Sequence, residues 1–153
     1  MYRKLAMAAA AVLISASGAA YAQNFNLEPT YGSASLNSGF SPDPYNVSIT
    51  AGGSIDAGNI GCAGMVANAP DFRLYFGAGN ALPLILSVAS DADTTLVVNM
   101  PNGSWLCDDD SGNGLNPSIY LSSPPSGQYD IWVGSYGGGY NNSTLSISEL
   151  SSN

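Results

Sequence analysis

The sequence contains many short β-prone runs separated by turn-forming residues, and this pattern limits the possible folds more than any other feature. After residue 22 we find no amphipathic helical period longer than about two turns. The β-prone runs are rich in β-branched, aromatic and aliphatic residues, and Gly, Pro, Asn, Asp and Ser separate them. They cover Tyr45 to Thr50, Phe72 to Phe76, Leu84 to Ser90, Thr94 to Met100, Ser118 to Leu121, Tyr129 to Val133 and Thr144 to Ser148. This spacing predicts an all-β domain, an antiparallel β-sandwich or jelly roll of about 7–9 strands.

Alternation within the last two runs indicates which side chains face the core. In the run from Thr144 to Ser148 every second residue is apolar, so we expect Leu145 and Ile147 to point inward. In the preceding run, one face carries Tyr129, Ile131 and Val133, and the other carries Asp130 and Trp132. We expect Trp132 to cover the second face of the sheet, with an exposed sugar-stacking platform as the alternative. The glycine-rich stretch from 136 to 142 is predicted to be a hairpin connection, since no lysine or helix pattern follows it.

The N-terminus has the pattern of a secretory signal peptide. Two basic residues precede an apolar run from Leu5 to Ala20, and Ala20-Tyr21-Ala22 forms a small-x-small cleavage site. The alternative, a membrane anchor, is disfavoured because the run is shorter than the roughly 20 residues that span a bilayer. We therefore expect residues 1–22 to be removed, leaving 23–153 as a single secreted domain without a membrane span.

The predicted mature chain is strongly acidic. Residues 23–153 contain one basic residue, Arg73, and eleven acidic residues, which gives a formal charge of −10. Binding to nucleic acids or to anionic membranes requires basic patches, which this chain cannot form. A metal cation is the partner that this charge favours.

The cysteine count indicates a disulfide. Cys62 and Cys107 are the two cysteines of the chain, and secretion would expose both to an oxidising compartment. We expect them to be bonded to each other, with two free thiols as the alternative.

A second feature is the acidic loop that follows Cys107. The stretch Asp109-Asp110-Ser111-Gly112-Asn113-Gly114 carries side-chain oxygens at positions 1, 3 and 5 and glycine at position 6, as in the first half of an EF-hand loop. The second half fails, because position 12 is Tyr120 rather than a bidentate glutamate. The sequence therefore predicts a calcium-loop fragment between strands, with the two aspartates of Ser90-Asp91-Ala92-Asp93 as the best remote carboxylates. Calcium is favoured over zinc, since the ligands are hard oxygens and residues 23–153 lack histidine.

The alternative is a solvated acidic turn in which the Asp and Asn side chains cap their own backbone. Mutual repulsion of several carboxylates without a basic neighbour would oppose folding, which favours a bound cation.

Residues 71–149 resemble the bacterial prepeptidase C-terminal domain family. The motifs lie in SDADTTLVVNMPNGSWLCDDDSGNGLNPSIYLSSPPSGQYDIWVGSY: an aspartate-led strand, a P-[DN]-G turn, a D-D-S-G-x-G-L-N-P loop, and G-x-Y-x-[IV]-x-V. Members of that family are small secreted β-sandwich modules, often appended to peptidases, and some bind calcium. The resemblance implies an accessory or binding role, with calcium-loop positions at Asp93, Asp108, Asp109, Asp110 and Asn113. The chain departs from the family pattern because no protease domain precedes the module.

Catalysis is not expected. Mechanisms that depend on histidine or lysine are excluded, because residues 23–153 contain neither. Asp110-Ser111-Gly112 matches the aspartic-protease signature, but such a site requires a second aspartate that shares its proton. A small carboxylate-dependent hydrolase remains as a minor alternative.

Two non-enzymatic functions fit the sequence. The first is a calcium-stabilised binding module that contacts a protein or a carbohydrate at the cell exterior through exposed aromatic residues, for which the candidates are Trp105, Trp132, Tyr136 and Tyr140. The second is a structural or surface-assembly component that associates through its strand edges.

Overall fold

The structure is a computed structural model that describes residues 23–153, so the predicted signal peptide lies outside the described residues. This part of the chain is all β apart from one short 3₁₀ helix at Ala57–Ile60. The strands are β1 (Ser33–Asn37), β2 (Tyr45–Ala51), β3 (Ile55–Asp56), β4 (Met65–Val66), β5 (Phe72–Gly77), β6 (Leu84–Ser90), β7 (Thr94–Asn99), β8 (Trp105–Asp108), β9 (Ser118–Leu121), β10 (Gly127–Ser135) and β11 (Asn141–Ser148).

The strands form two sheets, which confirms the predicted sandwich. Sheet A has the order β1-β5-β10-β7-β8. The short β4 pairs with β10 on the same edge as β5, and β3 pairs with β4. Sheet B has the order β2-β11-β6-β9 and is antiparallel throughout. Residues 23–153 contain no helix that is long and apolar enough to cross a membrane.

Two details differ from the predicted topology. Strand β1 pairs with β5 in parallel, because the chain passes through β2 of the other sheet and through β3 and β4 before it returns. The segment from Tyr136 to Tyr140 is not a hairpin loop. It joins β10 of sheet A to β11 of sheet B, so it crosses between the sheets.

The main core lies between the two sheets, as the alternation predicts. Sheet A contributes Leu74, Tyr129, Ile131 and Val133, and sheet B contributes Leu86, Val88, Leu145 and Ile147, all of them fully buried. Burial of aliphatic side chains contributes roughly 1.5–3 kcal/mol each, and this cluster is therefore the main source of stability.

A second, smaller core lies on the outer face of sheet A. Trp132 and Val97 point away from the main core and pack under the segment that contains β3, the 3₁₀ helix and β4. Trp105 lies beside Trp132, with 5.4 Å between the ring centroids, and Phe25 contacts the other side of Trp105 at 6.5 Å. Trp132 is therefore buried cover for sheet A, and the alternative of an exposed platform at this residue is wrong.

The disulfide fastens this second core to the sheet. Cys62 follows the 3₁₀ helix and Cys107 lies in β8, and the structure bonds them with their Cα atoms 5.7 Å apart. This confirms the predicted pairing.

Residues 24–31, the N-terminal strap, cross the outer face of sheet A and are held there by Arg73. Its guanidinium donates to the backbone carbonyls of Phe25 (2.7 Å) and Leu27 (3.0 Å) and forms an ion pair with Asp130 (2.6 Å). The one basic residue of the range 23–153 is thereby buried in a structural role and offers no surface charge to a ligand.

Candidate functional site

Asp108 organises the acidic loop from inside. One carboxylate oxygen, Oδ1, accepts from the Ser111 hydroxyl at 2.6 Å, and the other, Oδ2, accepts from the backbone N–H groups of Ser111 (2.9 Å) and Ser118 (2.8 Å). A carboxylate offers about four lone-pair positions, so these bonds leave little of Asp108 for a metal ion. In this respect the loop matches the capped acidic turn that the sequence left open as an alternative.

Asn116 holds the other end of the loop. Its amide nitrogen donates to the carbonyls of Ser90 (2.8 Å) and Asn113 (3.3 Å), and its amide oxygen accepts from the Thr94 hydroxyl at 2.6 Å. The side chain is buried, and a buried amide without hydrogen-bond partners would lower the stability of the fold. Sequence reasoning missed Asn116, although its position before Pro117 in the D-D-S-G-x-G-L-N-P loop was a signal that it ends the loop.

Of the other predicted ligands, Asp93 and Asn113 line one notch, and Asp109 and Asp110 do not. The acidic notch is a cavity of about 320 Å³ between the β6–β7 turn and the loop, lined by Ser90, Asp91, Ala92, Asp93, Asn113, Gly114, Leu115 and Asn116. The cavity thus has Asp93 on one side and Asn113 on the other. The Asp93 Oδ1 atom is buried and has no hydrogen-bond partner among the described residues.

Asp110 is exposed and lies close enough to the other aspartates to feel their charge. Its pKa is raised above the usual value, first by desolvation and then by the negative charges of Asp109, Asp93 and Asp108. The four aspartates thus form one electrostatic cluster. Within residues 23–153, however, the structure holds no group of three or more Asp, Glu, Cys or His side chains arranged to bind a metal ion.

A larger cavity, the polar trough, opens on the outer face of sheet B and adjoins the acidic notch. It has a volume of about 720 Å³, within the range of ligand pockets. Hydroxyl and amide groups dominate its lining, which comprises Tyr31, Ser48, Ile49, Thr50, Val88, Ala89, Ser90, Asp91, Asn113, Asn116, Asn142, Ser143, Thr144 and Asn153.

The sheet register explains why polar groups line the trough. Leu145 and Ile147 of β11 point into the core, so the alternating residues Asn142 and Thr144 point outward. On the neighbouring β2, Thr50 lies opposite Asn142 and Ser48 lies opposite Thr144. The polar half of the alternation was visible in the sequence, but the sequence did not indicate that this face stays open.

The predicted aromatic contacts have different environments. Tyr136 and Tyr140 are 54% and 70% exposed, and the Tyr136 N–H donates to the Asp93 carbonyl at 3.1 Å, which places Tyr136 beside the notch. Trp105 is half-buried in the second core, and Trp132 is fully buried there. Trp132 is therefore removed from the candidate contact residues.

Comparison with known proteins gives similarity of fold only. No protein-family model matches the sequence, and no curated protein matches it. Among solved structures, the chain is similar to the pre-peptidase C-terminal domain of collagenase from Bacillus anthracis, with 14% identity, a TM-score of 0.44, and coverage of 81% of this chain and 99% of that one. It is also similar to PliG of Aeromonas hydrophila, a periplasmic inhibitor of g-type lysozyme, with 14% identity, a TM-score of 0.43, and coverage of 76% and 96%.

The class of protein that the fold defines is a two-sheet β-sandwich, and the collagenase domain belongs to the family that the sequence resembles. At TM-scores below 0.5, neither similarity assigns a function to the chain.

Proposed function

We propose that the chain is a non-catalytic binding module that acts outside the cytoplasm and contacts a protein or a carbohydrate through the polar trough. The observation that carries this proposal is the trough itself, a concave surface whose hydrogen-bonding side chains stand on a paired sheet. A site built on strands loses little conformational entropy on binding, because its side chains are already held in place. The disulfide supports a location outside the reducing cytoplasm.

The carboxylates of the described chain are poorly placed for catalysis. Hydrolysis by two carboxyl groups requires one with a raised pKa that faces the substrate. Burial raises the pKa of Asp71 to about 7, but this residue is 2% exposed and lines neither the trough nor the notch. The other carboxyl with a raised pKa, Asp110, is exposed and also lines neither cavity. These positions favour binding without chemical turnover.

A calcium ion at the acidic notch is the second part of the proposal. The buried, unpartnered Asp93 Oδ1 supports it, because an orphaned carboxylate oxygen is costly unless a cation or a donor satisfies it. Asp93 and Asn113 line the notch and would supply oxygen ligands, whereas Asp109 and Asp110 do not line it and would join them only if the loop moves. Asp108 is already committed to the loop. Since these carboxylates do not form a ready-made set of three, backbone carbonyls and water would complete the six to eight oxygens that calcium takes.

The calcium proposal predicts a stability increase in the purified, oxidised protein. At a calcium concentration about 100 times the dissociation constant, the free energy of unfolding rises by about 2.7 kcal/mol, or several degrees in Tm. Thermal unfolding in calcium and in chelator measures this difference. We expect Asp93→Asn to abolish the shift and Glu28→Gln, which removes an exposed carboxylate on the N-terminal strap, to retain it. An equal Tm in calcium and chelator, with no heat of binding by calorimetry, would remove the metal from the proposal.

The binding proposal is tested at the trough. The protein, immobilised, is exposed to panels of oligosaccharides and of peptides, and the ligands are analysed by mass spectrometry afterwards. We expect saturable binding by one class that depends on Asn142 in the trough, with the ligand recovered intact. The proposal is contradicted if the ligand is cleaved, or if Asn142→Ala leaves the binding of every class of ligand unchanged.

A further inference from the structure

We infer that the ligand of the polar trough is a neutral carbohydrate, an inference that rests on the proposed binding function. The first argument is the chemistry of the trough floor. Thr50, Asn142 and Thr144 present hydroxyl and amide groups, which donate and accept hydrogen bonds at once. Sugar hydroxyl groups also do both, and a floor of this kind can satisfy them without a charged side chain.

The charge of the trough excludes anionic sugars. Arg73, the one basic residue in the range 23–153, is buried on the outer face of sheet A and paired with Asp130, so it cannot meet a ligand on sheet B. The lining contains one carboxylate, Asp91, and the chain carries a formal charge of −10 over these residues. In the absence of calcium, a sulfated, phosphorylated or uronic acid sugar would be repelled by these charges and would find no basic side chain to bind.

The position of the trough disfavours an extended peptide. A peptide that adds to a sheet does so at an edge strand, where backbone N–H and C=O groups are unpaired. The trough opens instead on the outward face of β2 and β11. The ladder between them uses the backbone groups on one side of β2, and at its free edge the Thr50 N–H donates to the Tyr31 hydroxyl at 3.0 Å. A ligand on this face therefore meets side chains, and the floor residues Thr50, Asn142 and Thr144 are short and polar rather than apolar.

The chain already covers the adjoining part of this face with its own polar groups. The Ser152 hydroxyl bonds to the Ser118 hydroxyl at 2.7 Å, and the Asn153 N–H donates to the Ser87 hydroxyl at 3.1 Å. Ser87 and Ser118 lie opposite each other on β6 and β9, and Ser87 is fully buried. The segment that bonds to them, residues 150–153, is the C-terminal tail. This part of the face thus forms hydrogen bonds with a hydroxyl and a backbone N–H group of the tail, and the trough is the part of the same face beside it.

The test is a titration of the purified protein, in chelator, with uncharged and charged oligosaccharides of equal length, monitored by NMR or calorimetry. The uncharged probes are the hexamers of glucose in α-1,4 and β-1,4 linkage and of N-acetylglucosamine, and the charged probe is hexagalacturonate. We expect saturable binding of at least one uncharged hexamer and none of hexagalacturonate. Asn142→Ala and Thr50→Val should each weaken the binding about tenfold, because each removes hydrogen bonds to the ligand.

Asn46→Ala is the matched control for Asn142→Ala. Asn46 is an exposed asparagine on β2 of the same sheet and does not line the trough, so its removal should leave binding unchanged. Circular dichroism and Tm of the variants show that each one is folded.

The outcomes separate this inference from the proposed function. If no uncharged hexamer binds and a peptide binds in a manner that depends on Asn142, the inference of a carbohydrate ligand is wrong and the binding function stands. Binding of an uncharged hexamer that Asn142→Ala and Thr50→Val leave unchanged would also overturn the inference. If no carbohydrate or peptide binding depends on Asn142, both the inference and the proposed function fail.

Discussion

At the scale of single residues, the hydrogen bonds that Asp108 accepts and those that Asn116 makes account for the shape of the acidic loop. Asp108 links the start of the loop to Ser111 and to Ser118 at the start of β9, while Asn116 links its end to the β6–β7 turn. Bonds to a charged acceptor are stronger than neutral ones, and a buried amide without partners costs more than a bond. The neighbouring aspartates therefore differ in role although they are adjacent in sequence.

This difference predicts unequal effects of two neighbouring substitutions. Asp108→Ala removes three hydrogen bonds and should lower the free energy of unfolding by about 2–4 kcal/mol. Asp109→Ala should change it little in the absence of calcium. Urea denaturation in chelator compares the two variants without a metal contribution, and equal losses would show that Asp108 does not organise the loop.

The sequence predicted some residue roles and missed others for a physical reason. Leu145, Ile147 and Trp132 were placed on their correct faces, because strand alternation is a local signal. The role of Asp108 was missed, because one of its partners is the N–H of Ser118, and a turn geometry that brings the two together is not visible in residue types.

At the scale of elements, the N-terminal strap depends on a buried ion pair. Arg73 on β5 reaches Asp130 on the adjacent β10 and then the carbonyls of the strap, and the Gln128 amide also donates to Asp130 at 2.8 Å. Removal of one partner of a buried pair leaves the other charge without compensation.

We therefore expect Arg73→Met to lower the free energy of unfolding by about 3–5 kcal/mol and to release the strap. Hydrogen exchange of the amides in residues 24–31 measures the release, and denaturant unfolding measures the stability. The double variant with Asp130→Asn should recover part of the loss, because the uncompensated charge is gone. A single variant as stable as the parent protein would show that the pair does not hold the strap.

Prediction of the elements succeeded for all strands of six residues or more and also for the four-residue β9. The seven predicted runs correspond to β2, β5, β6, β7, β9, β10 and β11. The missed strands are β1, β3, β4 and β8, which have five, two, two and four residues. Runs this short carry no reliable period, and their pairing is decided by tertiary contacts rather than by propensity.

At the scale of the whole molecule, stability should depend on pH through Asp71. This side chain is buried, accepts from the Val133 N–H at 2.7 Å, and has its pKa raised from 3.8 to about 7, mainly by desolvation. The folded protein therefore binds this proton more tightly than the unfolded chain. The stabilisation is complete below pH 3.8 and is lost as the pH rises through about 7.

When the pH rises from 5 to 8, ionisation of Asp71 should lower the free energy of unfolding by about 2–3 kcal/mol. Denaturant unfolding of the parent protein and of Asp71→Asn at both pH values isolates the effect, because the other acidic groups are common to both. The free energy of unfolding of Asp71→Asn should fall less between the two pH values than that of the parent protein, since an amide cannot ionise. Parallel pH profiles of the two proteins would contradict the assignment.

The fold class and the cysteine pairing could be predicted from the sequence, because strand spacing indicates the one and the presence of two cysteines indicates the other. The open face of sheet B could not. Whether Asn142 faces solvent or a covering segment depends on where the C-terminal tail lies, and tail placement is a long-range property.

The burial of Arg73 also has a consequence for proteolysis. Trypsin cleaves after lysine or arginine, and residues 23–153 offer it only the bond between Arg73 and Leu74, in a strand paired with β1 on one side and β10 on the other. Cleavage requires β5 to leave sheet A, which disrupts the main core, so the folded domain has no site for this class of protease until it unfolds. A protein with this arrangement is suited to persist in surroundings that contain trypsin-like enzymes.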